Sequence, residues 1–136
     1  MTRASPDSDT PSASATVLIV EDEPDVRDIY ELRLQQQYQV KTASDGDVDL
    51  GLIDDEIDIV FSDRRMPGTS GDELLARVRN HGIEVPFVMV SAVDSDVDLP
   101  DGLTEYFTKP VAGSDLIACV EQHVSDPVAM QESHSG

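Results

Sequence analysis

Cysteine and lysine are scarce in this sequence, and tryptophan is absent. The 136 residues contain one cysteine, Cys119, and two lysines, Lys41 and Lys109. A single cysteine permits no intramolecular disulfide and excludes a cysteine-based zinc site. Only 9 basic residues stand against 28 acidic ones, so the formal net charge is −19. Since such a surface repels phosphate backbones and anionic lipid, direct binding of nucleic acid or of a membrane surface by this chain is disfavoured.

Long apolar runs are also missing. The N-terminus has neither the basic region nor the apolar stretch of a signal peptide, and no run approaches the roughly 18 residues of a membrane span. We therefore expect a cytoplasmic protein. Residues 1–15 are rich in Ser, Thr, Pro and Asp and predict a flexible leader, residues 16–124 predict one folded domain, and residues 125–136 predict a tail or the stump of a linker.

The acidic residues are spread through the predicted domain rather than gathered in one block. Aspartate outnumbers glutamate by 19 to 9, and arginine supplies seven of the nine cations. This composition resembles that of proteins from salt-loving archaea, in which concentrated salt screens a strongly acidic surface. An acidic protein of an ordinary organism is the alternative.

Five segments have the pattern of β-strands. Continuous apolar runs at 17–20 and 87–90 are typical of strands that are buried on both faces of a parallel sheet, and the segment at 57–61 is similar although it contains Asp58. Segments 39–42 and 104–108 are weaker candidates. All five strand segments alternate regularly with helix-like segments, and this order predicts a parallel sheet that is wound on both faces through right-handed crossovers.

Four segments between or after these strands predict helices. The first begins at Pro24 and places Val26, Ile29, Tyr30 and Leu34 at helical spacing. Residues 71–80 predict a helix with acids in its first turn and arginines toward its end, and Ser114 is the predicted N-cap of the last helix. Residues 45–54 fit both a strand and a helix, and only the alternation of strands and helices favours the helix.

Polar side chains follow the predicted strands at their carboxyl ends. Glu21 and Asp22 follow the first strand, Asp63 follows the third, Ser91 closes the fourth and Lys109 follows the fifth. Ligands of open α/β sheets bind at this edge, so we expect these five side chains to lie close together.

The motifs VLIVEDEP at 17–24, DRRMPGTSG at 63–71 and Lys109-Pro110 resemble those of response-regulator receiver domains, over residues 16–124. This resemblance implies a flavodoxin-like (CheY-like) α/β fold with a five-stranded sheet in the order 2-1-3-4-5. The Arg64-Arg65 pair and the short connection between the last two strands resemble receivers of the haloarchaeal HalX type. Residues 93–102 are acidic and contain a proline, so we expect a short or irregular fourth helix.

The resemblance implies a role for each strand-end residue. Asp63 is the implied phosphoacceptor, and Lys109 the cation for the phosphoryl oxygens. A Mg²⁺ (or Mn²⁺) ion is implied at Glu21, Asp22, Asp63 and the backbone carbonyl of Arg65, a set of hard oxygen ligands.

A second group of residues is implied in switching and in shaping the loop. Ser91 and Tyr106 are the implied switch residues, although Tyr106 fits a half-buried strand aromatic equally well. The Lys109-Pro110 bond is expected to be cis, and Pro67, Gly68 and Gly71 are expected to shape the loop after Asp63.

The implied function is that of a phosphorylated switch, not of an enzyme with turnover. The implied partners are a sensor histidine kinase and an output domain or downstream protein, and a homodimer is allowed. One alternative is an interaction module that works without phosphorylation. Another is a phosphohydrolase that uses Asp63, but position 65 is Arg where such an enzyme needs a second acid. His81, His123 and His134 share no ligand spacing, so neither a zinc site nor a Ser-His-Asp triad is supported.

Overall fold

A five-stranded parallel sheet in the order β2-β1-β3-β4-β5 forms the centre of the computed structural model, which describes residues 15–66, 68–92 and 99–124. The strands are β1 (Thr16–Val20), β2 (Gln39–Ala43), β3 (Ile59–Ser62), β4 (Phe87–Ser91) and β5 (Glu105–Thr108). The predicted fold class and strand order are confirmed.

Four helices lie in the described part of the chain. They are α1 (Pro24–Leu34), α2 (Leu50–Glu56), α3 (Gly71–Asn80) and α4 (Gly113–His123). Helix α3 matches its predicted bounds because it has a capping box, in which the Ser70 hydroxyl accepts from the Glu73 amide and the Glu73 side chain accepts from the Ser70 amide. None of the helices that the structure describes is long and apolar enough to cross a membrane.

The ambiguous segment at 45–54 is helical only in its second half. Asp45 accepts a hydrogen bond from the Asp47 amide at 2.8 Å, which closes a local turn. Asp49 then caps α2 by accepting from the Gly51 amide at 2.9 Å. The helix therefore begins at Leu50, and the alternation that resembled a strand belongs partly to the preceding loop.

Two hydrophobic clusters cover the two faces of the sheet, as a doubly wound fold requires. On one face, α2 and α3 pack against alternate strand residues, with Leu18, Val60, Leu74, Val78 and Phe87 among the buried members. On the other face, α1 and α4 pack against the intervening strand residues, with Ile19, Leu34, Phe61, Leu116 and Val120 among the buried members.

One helical residue is more exposed than its neighbours at helical spacing, and one expected helix cap is wrong. Ile29 is 59% exposed, whereas Tyr30 and Leu34 of the same helix are buried. Val26, Tyr30 and Leu34 are spaced four residues apart and face the sheet, whereas Ile29 lies beside this row. Ser114 is not the N-cap of the last helix, because α4 already begins at Gly113 and Ala112 occupies the cap position without a side-chain hydrogen bond.

Several expectations fall on parts of the chain that the structure does not describe. The leader, apart from Ala15, and the tail at 125–136 lie outside the described residues, as does Pro67. Most of the expected fourth helix lies at 93–98, which is also outside them, and the described residues that follow include a turn at 101–102.

Candidate functional site

The strand register brings Glu21 and Asp63 together at the carboxyl edge of the sheet. Val20 pairs with Ser62, so the next residue of each strand lies beside its counterpart. The Asp63 amide donates to the Val20 carbonyl at 2.9 Å, and the Glu21 amide donates to the Ala43 carbonyl at 2.9 Å. The hydrogen-bond ladder thus extends past the strand ends and holds both backbones in place.

Three carboxylates gather at this edge. Oxygen atoms of Glu21, Asp22 and Asp63 lie within 4.8 Å of one another. Glu21 is 2% exposed and Asp63 is 8% exposed, while Asp22 is half-buried. Since like charges this close repel one another in a partly buried place, the cluster requires a counter-charge.

Lys109 supplies a positive charge to this cluster. Its Nζ donates to Oε1 of Glu21 at 2.9 Å and to Oδ2 of Asp63 at 3.2 Å. The Lys109 amide donates to the Ser91 carbonyl at 2.8 Å, and the following peptide bond to Pro110 is cis, as expected. The ammonium therefore reaches from the end of β5 across β4 to the ends of β1 and β3.

The electrostatics of the Glu21–Lys109 pair follow from burial and contact. Burial raises the pKa of Glu21, and the hydrogen bond from Lys109 opposes this effect without cancelling it. Burial alone lowers the pKa of Lys109, but the hydrogen bond to Glu21 and the negative charge of Asp63 outweigh it and raise the pKa. Lys109 thus stays cationic at neutral pH.

The donor set of this cluster fits a hard divalent cation. Three carboxylates and one ammonium leave a formal charge of −2. Carboxylate oxygens at this density are the ligands that Mg²⁺ prefers, with waters filling the remaining positions. Asp22 is the most exposed of the three, which leaves the cluster open to solvent on that side.

The loop after Asp63 is held tightly against the start of α3. The Gly71 amide donates to the Arg64 carbonyl at 2.9 Å, and the Ser62 hydroxyl donates to the Asp63 carbonyl at 2.8 Å. A Cβ on Gly71 would overlap the Asp63 carbonyl oxygen and lie 3.1 Å from both the Arg64 Cα and the Ser62 Oγ. Glycine is therefore required at position 71 by close approach of the backbone, whereas Gly68 is required by its φ of +79°.

Arg64 connects this loop to β5, a role that the sequence did not indicate. Its guanidinium makes a bidentate pair with the Asp72 carboxylate at 2.9 and 3.1 Å. The hydrogen bond to Asp72 raises the pKa of Arg64, and a hydrogen bond with Tyr106 adds to this rise. The spacing of Arg64 from an acid in the first turn of a predicted helix was the only available signal.

The remaining predicted site residues occupy different environments. Ser91 is 2% exposed at the end of β4, where it pairs in register with Thr108. Tyr106 is half-buried in β5 and packs against the cluster of α2 and α3. The Arg65 side chain is exposed two positions after Asp63.

Tyr30 of α1 also faces this site. It is 7% exposed, and burial raises the pKa of its hydroxyl. The positive charge of Lys109 lowers this pKa, whereas the negative charges of Glu21 and Asp63 raise it. The helical spacing predicted a core residue here, and Tyr30 also lines a small cavity together with Glu21 and Asp63.

Comparisons with known proteins agree with this architecture. The family model described as "Response regulator receiver domain" matches residues 17–121. A Haloferax volcanii protein whose name describes it as a transcriptional regulator is 34% identical over 113 residues. These residues are 82% of this chain but only 19% of that protein, so this chain spans about a fifth of its relative.

Solved structures give the same result. The receiver domain of a Francisella response regulator is 26% identical with a TM-score of 0.74, covering 82% of this chain and 97% of that one. The response regulator TrrA of Thermotoga maritima, in complex with Mg²⁺-BeF, is 28% identical with a TM-score of 0.71, covering 79% and 97%. The sheet order, the strand-end acids and the match over residues 17–121 lead to one conclusion: the chain belongs to the response-regulator receiver domain family.

Proposed function

We propose that this domain is a phosphoacceptor switch in which Asp63 receives a phosphoryl group from a partner histidine kinase. The observation that carries the proposal is the contact of one ammonium, Lys109, with both Glu21 and Asp63 in a cluster of three carboxylates. A structural ion pair needs one acid for one cation. An excess of acids around a single lysine at a ligand-binding edge favours a site for a cation and an anion together.

In the proposed step, a carboxylate oxygen of Asp63 forms a bond to phosphorus while the bond from phosphorus to the donor nitrogen breaks. The electron pair of the broken bond stays on the kinase imidazole, and the product is an acyl phosphate on Asp63. The ladder bond to the Val20 carbonyl holds the Asp63 backbone in place during this displacement. Lys109 is close enough to Asp63 to neutralise charge on the incoming oxygens.

Mg²⁺ or Mn²⁺ would be held by Glu21, Asp22, Asp63 and the Arg65 carbonyl, and it supplies charge neutralisation between the anionic donor and these acids. Without such a cation, the formal charge of −2 at the cluster repels a phosphoryl donor. We therefore expect phosphorylation to depend on the divalent cation.

Phosphorylation would bias a two-state surface through Ser91 and Tyr106. A hydroxyl at position 91 can donate to a phosphoryl oxygen, which draws the loop after β4 toward the site. Tyr106 lies on β5 and contacts Arg64 of the loop after Asp63, so it is connected to the phosphoacceptor loop. The proposed output surface comprises the end of β4, β5 and α4.

The downstream function is proposed to lie in another part of a longer protein or in a separate protein. This chain matches 19% of a relative whose name describes it as a transcriptional regulator. The net charge of −19 disfavours DNA binding by the receiver itself. We propose that any such output belongs to a different segment, which the receiver controls by contact.

Intact-mass measurement after incubation with acetyl phosphate and Mg²⁺ tests the proposal. We expect the wild-type chain to gain the mass of one phosphoryl group and Asp63→Asn to gain none. Asp54→Asn is the matched control, because Asp54 is an exposed acid on α2 away from the site. A folded wild-type chain that gains no mass would support the interaction module that works without phosphorylation.

Arg65 offers a test of how the phosphorylated state decays. Its exposed side chain follows Asp63 by two positions, and we propose that it lies over the acyl phosphate and controls the access of water. Arg65→Ala is expected to change the rate of autodephosphorylation, measured as loss of the phosphorylated mass with time. An unchanged lifetime would contradict this role, without bearing on phosphorylation itself.

A further inference from the structure

A second group of metal-binding side chains lies where the end of α4 packs against the start of β5. Cys119 Sγ lies 3.1 Å from Oε1 of Glu105, and His123 Nε2 lies 3.3 Å from the same oxygen. The three ligand atoms all lie within 4.8 Å of one another. Thiol, imidazole and carboxylate therefore converge on one small volume.

This group is separate from the carboxylate site. Glu105 begins β5 and Lys109 follows the end of this strand, so the two positions are about 13 Å apart at ~3.3 Å per residue. The described structure thus contains two candidate metal-binding groups of different chemistry, one of oxygen atoms and one of mixed sulfur, nitrogen and oxygen.

The helix geometry explains why two of the donors lie together. Cys119 and His123 are four residues apart in α4, so their side chains lie one above the other on the same face of the helix. That face packs toward β5, where Glu105 is half-buried. A single cysteine and three histidines without a shared ligand spacing excluded a zinc site at the sequence level, and the structure corrects this expectation. The third donor, Glu105, lies 14 positions from Cys119 and 18 positions from His123 along the chain, so no local spacing indicated it.

The two distances to the Glu105 oxygen are close to those of a tetrahedral zinc site. Zinc bonds of about 2.0–2.3 Å at tetrahedral angles give ligand-to-ligand distances of ~3.3–3.7 Å. The observed separations of 3.1 and 3.3 Å need only small adjustments of side-chain torsions to reach this range. Both contacts end on the same Glu105 oxygen, so hydrogen bonding also draws the donors together, and it is the kind of donor, thiol with imidazole and carboxylate, that favours a metal.

We propose that Glu105, Cys119 and His123 bind Zn²⁺, with a fourth position open to water. The donor set selects zinc over magnesium, because thiolate and imidazole are ligands of borderline and soft cations. The Cys119 side chain is buried, while the side chains of His123 and Glu105 are 20% and 35% exposed, which gives the ion a path from solvent. The net charge of −19 also favours the approach of a cation.

Binding would proceed by exchange of a proton for the metal. A bond forms between Cys119 Sγ and Zn²⁺, the S–H bond breaks, and the proton passes to solvent. Burial and the hydrogen bond to Glu105 raise the pKa of the Cys119 thiol to about 12 in the metal-free protein. Because binding releases this proton, zinc affinity is expected to rise with pH.

Zn²⁺ titration of the full chain against a chromogenic chelator tests this site. Excess Mg²⁺ is kept present so that the carboxylate cluster does not take up the zinc. We expect Cys119→Ser and His123→Gln each to weaken Zn²⁺ binding by at least about tenfold, since each removes one direct ligand. His81→Gln is the matched control, because His81 is exposed after the end of α3 and its replacement is expected to leave the Zn²⁺ affinity unchanged.

Co²⁺ provides a second readout that does not depend on affinity. Cobalt bound to a thiolate gives a ligand-to-metal charge-transfer band, which we expect in the wild type and in His81→Gln but not in Cys119→Ser. Circular dichroism verifies that each variant is folded, and His123→Gln, at a partly exposed position, is the variant least dependent on packing.

Two results would overturn the proposal. One is an unchanged zinc affinity in folded Cys119→Ser and His123→Gln. The other is a loss of zinc binding in Asp63→Asn, which would place the ion in the carboxylate cluster instead.

Discussion

Replacing Gly71 with alanine tests whether the start of α3 sets the position of Asp63. The added methyl group would overlap the Asp63 carbonyl oxygen and approach the Arg64 Cα and the Ser62 Oγ to 3.1 Å. Two of these three neighbours are backbone atoms, which cannot turn aside as a flexible side chain can. The backbone of Asp63 or the whole first turn of α3 must therefore move.

The expected loss in the free energy of unfolding of Gly71→Ala combines the cost of overpacking with the gain in helix propensity. Overpacking of a tight site costs about 1–3 kcal/mol, and backbone overlap belongs at the upper end of this range. Alanine returns up to about 1 kcal/mol relative to glycine in a helix, so the net loss is about 2 kcal/mol. At an m-value of about 2 kcal/mol per molar, the urea midpoint falls by about 1 M.

The same displacement should affect phosphorylation. A shift approaching 1 Å at a reacting group costs up to about 100-fold in rate, so we expect Gly71→Ala to take up phosphoryl groups from acetyl phosphate at least about tenfold more slowly. Gly51→Ala is the control, because a Cβ there meets only the Asp49 Oδ1 atom, at 3.3 Å. Wild-type stability and wild-type phosphorylation in Gly71→Ala would together refute the reasoning.

Four further predictions concern the helix caps, the reactivity of the thiol, the pH dependence of stability and the effect of salt. Ser70→Ala removes the cap of α3 and is expected to cost about 1 kcal/mol in urea unfolding, whereas Ser114→Ala, which removes no cap, should cost less than about 0.5 kcal/mol; equal losses would contradict the observed start of α4. With a pKa of about 12 against an ordinary value of 9.0, Cys119 in the metal-free protein at pH 8 should react with iodoacetamide roughly a thousandfold more slowly than in guanidinium. Because the pKa of Cys119 is raised on folding, its contribution to stability is full below about pH 9 and declines as the pH rises toward 12, since only the unfolded chain then loses this proton. The difference in unfolding free energy between wild type and Cys119→Ser should therefore fall over this pH range, and a difference that stays constant would contradict the prediction. The melting temperature should rise from dilute buffer to molar KCl because salt screens the charge of −19, and full stability in dilute buffer would count against salt adaptation.

The central strands could be predicted because burial on both faces leaves continuous apolar runs. The runs at 17–20 and 87–90 lie within β1 and β4, each of which extends one residue further. The edge strands β2 and β5 carry weaker patterns because part of each strand faces solvent. The start of α2 was missed, since the turn at Asp45 and the cap at Asp49 use the same residue types as a loop.

The carboxylate site was accessible to sequence reasoning for a topological reason. Parallel strands end at one edge, so the residues that follow β1, β3 and β5 had to meet once the strand order was known. Contacts that depend on the direction of a side chain could not be predicted from the sequence. The hydrogen bond of Arg64 with Tyr106 and the convergence of Cys119 and His123 on Glu105 each join elements whose mutual rotation the sequence does not specify.

The reach of Lys109 has a consequence for how the protein folds. Its contact with Glu21 joins positions 88 residues apart and spans β4, so it forms only after the last strand has docked. Such distant contacts carry a high entropic cost and are typically made late on the folding pathway. A chain that has assembled β1 to β4 therefore holds its acids together with no lysine among them. We expect divalent cations to accelerate refolding by relieving this repulsion before β5 arrives.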